Sequence, residues 1–185
     1  MRIARKLSDD QDIISRFIAV LGGGMIELSN NKFARPGFFI LAHNFIAGYI
    51  EGGFFKKEEL LISALEDVGF PPDDGPIHFM RSEQKKSREA SEQMFKAAKR
   101  WQDGDENARI DVGWAASEYT SNFRQHLERL KNLIFPLLEQ NLNIEDEHKI
   151  AEGFNTVNFE ADTKNEPDKY EKMIVTLEEE LADWR

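Results

Sequence analysis

Four polar or ionisable residues, Gln11, Glu58, Gln84 and His126, fall on apolar stripes in four separate helical segments. Burying such groups is costly unless each is paired or holds something. Inside a helical bundle the usual reason is a metal or cofactor site built from facing helices. Imidazole and carboxylate together are ligands for a transition metal. Yet these four positions offer only one imidazole and one carboxylate. The pattern is that of a metal-site scaffold with most of its ligands missing.

The elements that position these residues can be read from spacing. Gln11, Ile14, Ile18, Leu21, Met25 and Leu28 step by three and four, which predicts a helix over 7–28 that Ser8 or Asp9 can cap. The stripe keeps register through Gly22-Gly23-Gly24, so the helix is expected to continue and the glycines to permit a close neighbour. A break there is the competing reading, because each glycine costs roughly 1 kcal/mol against alanine. The segment 29–35, with Asn30-Asn31, reads as a loop before Pro36.

A second helix is expected over 36–68, with Ile40, His43, Ala47, Ile50, Phe54, Glu58, Leu61 and Leu65 inward. Its first half, from Phe38 to Ile50, is apolar nearly all round and must be covered by a fifth element or a second subunit. A homodimer through this face is the expected partner arrangement. The run from Gly69 to Gly75 is a stop and turn. A third helix, 76–102, carries Ile77, Met80, Gln84, Ser87, Ser91, Met94, Ala98 and Trp101 inward. The fourth, 108–140, presents Val112, Ala116, Tyr119, Phe123, His126, Leu130, Leu133 and Leu137, with Pro136 expected to kink it. Two more polar helices follow, over 146–157 and 167–184, separated by a loop over 162–166. The expected architecture is all-α: a single domain over 1–185, an antiparallel four-helix bundle over about 7–141, and a helical appendage over about 145–185.

Composition excludes several functions. The net charge of −10 argues against non-specific binding to nucleic acid or anionic membranes. With no cysteine there are no disulfides, thiolate metal sites or cysteine nucleophiles. No apolar run looks both long enough and free enough of charge to span a membrane. No apolar stretch of signal type precedes Asp9 and Asp10, so a cytoplasmic location is expected. No Gly-x-Ser-x-Gly is present, and the triple glycine lacks the strand and the Lys-Ser/Thr of a phosphate loop. Lys85, Lys86, Arg88, Lys96, Lys99 and Arg100 cluster on the third helix, as a solvated face or a surface for an acidic partner.

Three anchors carry a resemblance: Phe54-Phe55-Lys56-Lys57-Glu58-Glu59; Pro76-Ile77, Met80, Glu83-Gln84 and Arg88; and His126, Arg129, Ile134-Phe135-Pro136-Leu137. In order and spacing the chain resembles the hemerythrin-like family, named for its His-His-Glu cation-binding motifs. The resemblance covers nearly the whole chain. It implies a bundle that binds a pair of iron ions through histidines of all four helices and two carboxylates, for oxygen or nitric-oxide sensing or iron handling. Carried over residue by residue, the ligand set is degenerate. The expected histidines fall on Gln11, on the pair Phe54-Phe55 and on Gln84; Glu58 and His126 remain; the late carboxylate falls on Leu130 or Lys131.

Lys131 is therefore expected to supply the charge of the lost metal, in a cluster of Glu58 with Lys131 or His126 flanked by Gln11 and Gln84. Other readings stay open: a solvated Glu58, an ordinary satisfied His126, or a single-metal site using Glu58 and His126, with Glu59, water or a glutamine. His43 lies about 16 Å from Glu58 by helical rise, too far to join it. His78 is expected exposed or capping. His148, in Glu145-x-x-His148, lacks the second copy that a ferritin-type pair needs. The favoured function is a non-enzymatic binding or interaction scaffold without cofactor. The alternative is an iron- or other metal-binding protein using Glu58 and His126. A third is an acid–base enzyme built on the same pair.

Overall fold

The computed structural model describes residues 2–30 and 33–185; Asn31 of the expected loop lies outside them. The bundle is built from α2 (Ser8–Leu28), α3 (Pro36–Phe45) running through a π-helical segment Ile46–Phe54 into α4 (Phe55–Asp67), α5 (Gly75–Gln102), and α6 (Ala108–Arg129) running through a second π-helical segment Leu130–Ile134 into α7 (Phe135–Asn141). A short α1 (Arg2–Lys6) precedes it; α8 (Ile144–Lys164) and α9 (Lys169–Trp184) follow. No strand occurs among the described residues.

α2 runs unbroken through the glycines. A Cβ on Gly24 would collide with the ring of Phe38, so the close approach has a specific partner. The residue before α2 is Leu7, with no side-chain cap from Ser8 or Asp9. At α5 the cap is Asp74, whose carboxylate accepts from the Gly75 amide at 2.8 Å.

The two π-helical segments decide which side chains face inward. In each the closing amide reaches five residues back: Phe55 N–H to Ile50 C=O, and Phe135 N–H to Leu130 C=O. The wider turn shifts the helical phase by about one residue. At the start of the first segment and on its N-terminal side, Ile46, Ala42, Phe39 and Phe38 are buried, while Ala47 is exposed and His43 and Ile40 only half-buried. Beyond the second, Ile134 and Leu138 replace Leu133 and Leu137 in the core. Pro136 explains the second segment: it lacks an N–H and crowds the carbonyl four residues back, and a widened turn relieves both.

The apolar first half of the second bundle helix is covered by a fifth element. Trp184 of α9 packs on Phe38 at 4.8 Å and on Phe39 at 6.4 Å, and Tyr170 meets Phe45 edge-on at 5.9 Å. The face expected to pair with a second copy is occupied by the chain's own C-terminal helix. The continuous helix Pro36–Asp67 is also long and apolar enough, by length and composition, to cross a membrane. This corrects the reading that no run is. Here its apolar face contributes Phe38, Phe39, Phe45, Ile46 and Ile50 to the core.

Candidate functional site

The centre of the bundle holds a chain of hydrogen bonds from the core to the surface. α4 delivers Glu58, α5 delivers Glu83 and Gln84, and α6 delivers His126 and Arg129. Glu58 is 0% exposed and His126 1%. Gln84 Nε2 donates to Glu58 Oε1 at 2.7 Å, and His126 Nε2 meets Glu58 Oε2 at 2.6 Å. On the other side of the ring, His126 Nδ1 meets Glu83 Oε1 at 3.1 Å, and Arg129 Nε donates to Glu83 Oε2 at 2.9 Å. Both carboxylates thus accept on both oxygens. Phe55 and Phe123 wall the imidazole, with ring centroids at 6.1 and 5.5 Å.

These contacts set the protonation state. Burial alone would push the imidazole pKa down. The charge of Glu58 and its hydrogen bond, then Glu83, outweigh burial and raise His126 to about 9. At neutral pH the ring is an imidazolium that donates from both nitrogens. Burial acts to raise Glu83, but hydrogen bonds from His126 and Arg129, then their charges, hold it below the usual carboxylate range.

The sequence-predicted residues divide. Glu58, Gln84 and His126 come together as expected. Lys131 does not: it is exposed on the second π-helical segment, where its neighbour Leu130 takes the inward position, and the cation beside Glu58 is His126. Gln11 is half-buried and outside the cluster, whose hydrogen bonds come from Gln84, Glu83, His126 and Arg129. Phe54 fills its position as an apolar residue 6.4 Å from Phe123. Glu59 is exposed and pairs with Arg81 at 3.0 Å. His43 bonds Ser91 at 3.1 Å and stacks on Phe95. His148 is exposed and meets Glu152 at 3.1 Å.

Sequence reasoning missed Glu83 and Arg129 as members of the cluster. Their signal was present: Glu83 adjoins Gln84, and Arg129 lies one turn after His126. It also missed a second polar group. Asp10, on the turn where Gln11 was expected, takes Lys57 Nζ at 2.5 Å and the Tyr49 hydroxyl at 2.6 Å. Lys57 is only 3% exposed. Burial, then Asp10, pushes the Tyr49 phenol up. The trio borders a cavity of about 550 Å³ beneath the α8–α9 loop.

The residues present do not fit a two-ion centre. Phe54 offers no donor atom, both imidazole nitrogens are taken up by carboxylate oxygens, and the one amide, Gln84, donates its NH₂ to Glu58. Among the described residues no three His, Asp or Glu side chains are placed to hold a metal ion. The family model for the hemerythrin HHE cation-binding domain matches residues 5–138. No curated protein and no solved structure matches the chain significantly.

Proposed function

The chain belongs to the hemerythrin HHE cation-binding domain family, and we propose that in this member a protonated histidine stands where the family places a cation, leaving a non-enzymatic binding or interaction scaffold. The observation that carries this reading is the placement of His126 with a carboxylate at each ring nitrogen. An imidazolium there supplies positive charge at the centre and satisfies Glu58 and Glu83 without a metal. Acid–base catalysis needs the pair to reach a substrate; at 0% and 1% exposure Glu58 and His126 are closed to solvent.

The test is metal analysis of protein purified without chelator, together with NMR of the His126 ring. The reading expects substoichiometric iron and manganese and two slowly exchanging ring protons near neutral pH. Near-stoichiometric iron or manganese, with those protons absent, selects the second reading. That reading is a divergent metal-binding member in sensing or iron handling, with Glu58 and His126 as its ligands.

A further inference from the structure

We propose that the cleft between α5 and α6 over Arg129 is a binding site for a small phosphate-type oxyanion. The cleft has a volume of about 310 Å³ and is lined by His78, Ser82, Lys86, Asn122, Gln125 and Arg129 among others. That volume is at the lower end of the ~300–1,000 Å³ range of small-molecule sites. Each of these six side chains can donate a hydrogen bond, and Lys86 and Arg129 carry fixed positive charge. On a chain of net charge −10, a concave surface of this sign is a local inversion.

Arg129 is held ready for such a ligand. Its Nε–H is bonded to Glu83, and its guanidinium lies over the Phe79 ring at 4.6 Å. Those two contacts fix the plane of the fork and leave the Nη hydrogens for a further acceptor. A guanidinium so fixed suits bidentate recognition of phosphate. The one carboxylate in the lining, Glu83, has both oxygens engaged, by His126 and by Arg129. Its charge is thereby offset on both sides, and it does not oppose an incoming anion as a free carboxylate would.

The cleft is also one hydrogen bond removed from the buried cluster, through Glu83. The offset of Glu83 on its His126 side rests on the reading of that ring as an imidazolium; Lys86, His78 and the Arg129 fork stand apart from that reading, and a metal at Glu58 would leave them in place. The anion can be free phosphate or a phosphomonoester, and the two differ in what fills the rest of the cleft.

The experiment is calorimetric titration of the full chain with inorganic phosphate and with glycerol phosphate, at constant ionic strength against a chloride control. Saturable binding is expected, weakened about tenfold by Lys86→Gln and by Arg129→Gln, the size of one charge-assisted contact. Equal affinity for the two probes assigns free phosphate; tighter binding of glycerol phosphate assigns a phosphomonoester. Lys86 is exposed and outside the buried cluster, so its variant decides the matter even if Arg129→Gln fails to fold. Heats indistinguishable from chloride, or binding that survives Lys86→Glu unchanged, overturn the proposal. Neither result alters the metal content that tests the scaffold reading.

Discussion

His126 Nε2 lies 2.6 Å from Glu58 Oε2, although 68 residues separate the two in the chain. The pair is buried and is linked through Glu83 to Arg129 at the surface. A buried charge left without its partner is strongly destabilising, whereas replacing a whole pair by apolar groups is often close to neutral. That asymmetry makes the centre of this bundle open to experiment.

The first expectation concerns pH. His126 rises from 6.5 to about 9 on folding, so the folded state binds its proton more tightly than the unfolded chain. Its contribution is full below about pH 6.5 and is lost as pH rises through about 9. At ~1.36 kcal/mol per pKa unit the loss is about 3 kcal/mol. Urea unfolding at pH 6 and pH 9.5 should show it; a flat alkaline limb with an otherwise intact fold would contradict an imidazolium at this place. Glu83 acts in the opposite sense. Its lowered pKa contributes stability that is lost only as pH falls into the acid range.

A double-mutant cycle tests the pair. Glu58→Leu alone leaves the His126 ring with Glu83 only, and His126→Leu alone leaves the buried Glu58 carboxylate with Gln84 only; each should cost up to about 3–5 kcal/mol. The double variant should cost less than the sum of the two by about 1–3 kcal/mol. Additive losses in chemical denaturation would show that the two residues do not interact.

The buried Lys57 and the half-buried Asp10 form a second ion pair inside the bundle. Lys57→Met should destabilise by about 3 kcal/mol, since Asp10 keeps only the Tyr49 hydroxyl. Lys131→Met, on the exposed residue first expected to carry the central charge, should change stability by less than about 0.5 kcal/mol. A reversal of these two results would restore Lys131 to the core.

Gly24→Ala tests the packing of the appendage. The added methyl would meet the ring of Phe38, which is fully buried beside Trp184. Overpacking of this kind costs about 1–3 kcal/mol. It should also loosen α9, seen as faster proteolysis near the α8–α9 loop. Gly37→Ala, with open space around its Cβ, is the control and should leave both readouts unchanged.

Much of the architecture was legible in the chain. On α5 every inward residue of the expected stripe is buried, from Ile77 to Trp101, because an uninterrupted 3.6-residue period carries phase faithfully over its length. The same extrapolation failed across Ile46–Phe54 and Leu130–Ile134. A π turn leaves no mark in hydrophobic spacing beyond the phase slip itself. That slip put His43 and Ala47 inward on paper, and both are less buried in the structure; Lys131 was placed beside Glu58 by the family's ligand position rather than by the stripe, and it is exposed next to the buried Leu130.

By itself the sequence determined the all-helical bundle and the retention of Glu58, Gln84 and His126 at inward positions, while the continuity of α2 through its glycines, expected from register, had a break as its competing reading until the structure decided it. These follow from local periodicity and from residue types that are costly to bury alone. Only the tertiary structure decided which cation faces Glu58, what covers the apolar half of the second bundle helix, and that Glu83 and Arg129 extend the cluster to the surface. Those outcomes depend on helix phase and on contacts between residues far apart in the chain, and hydrogen-bond geometry is settled only when the helices are packed.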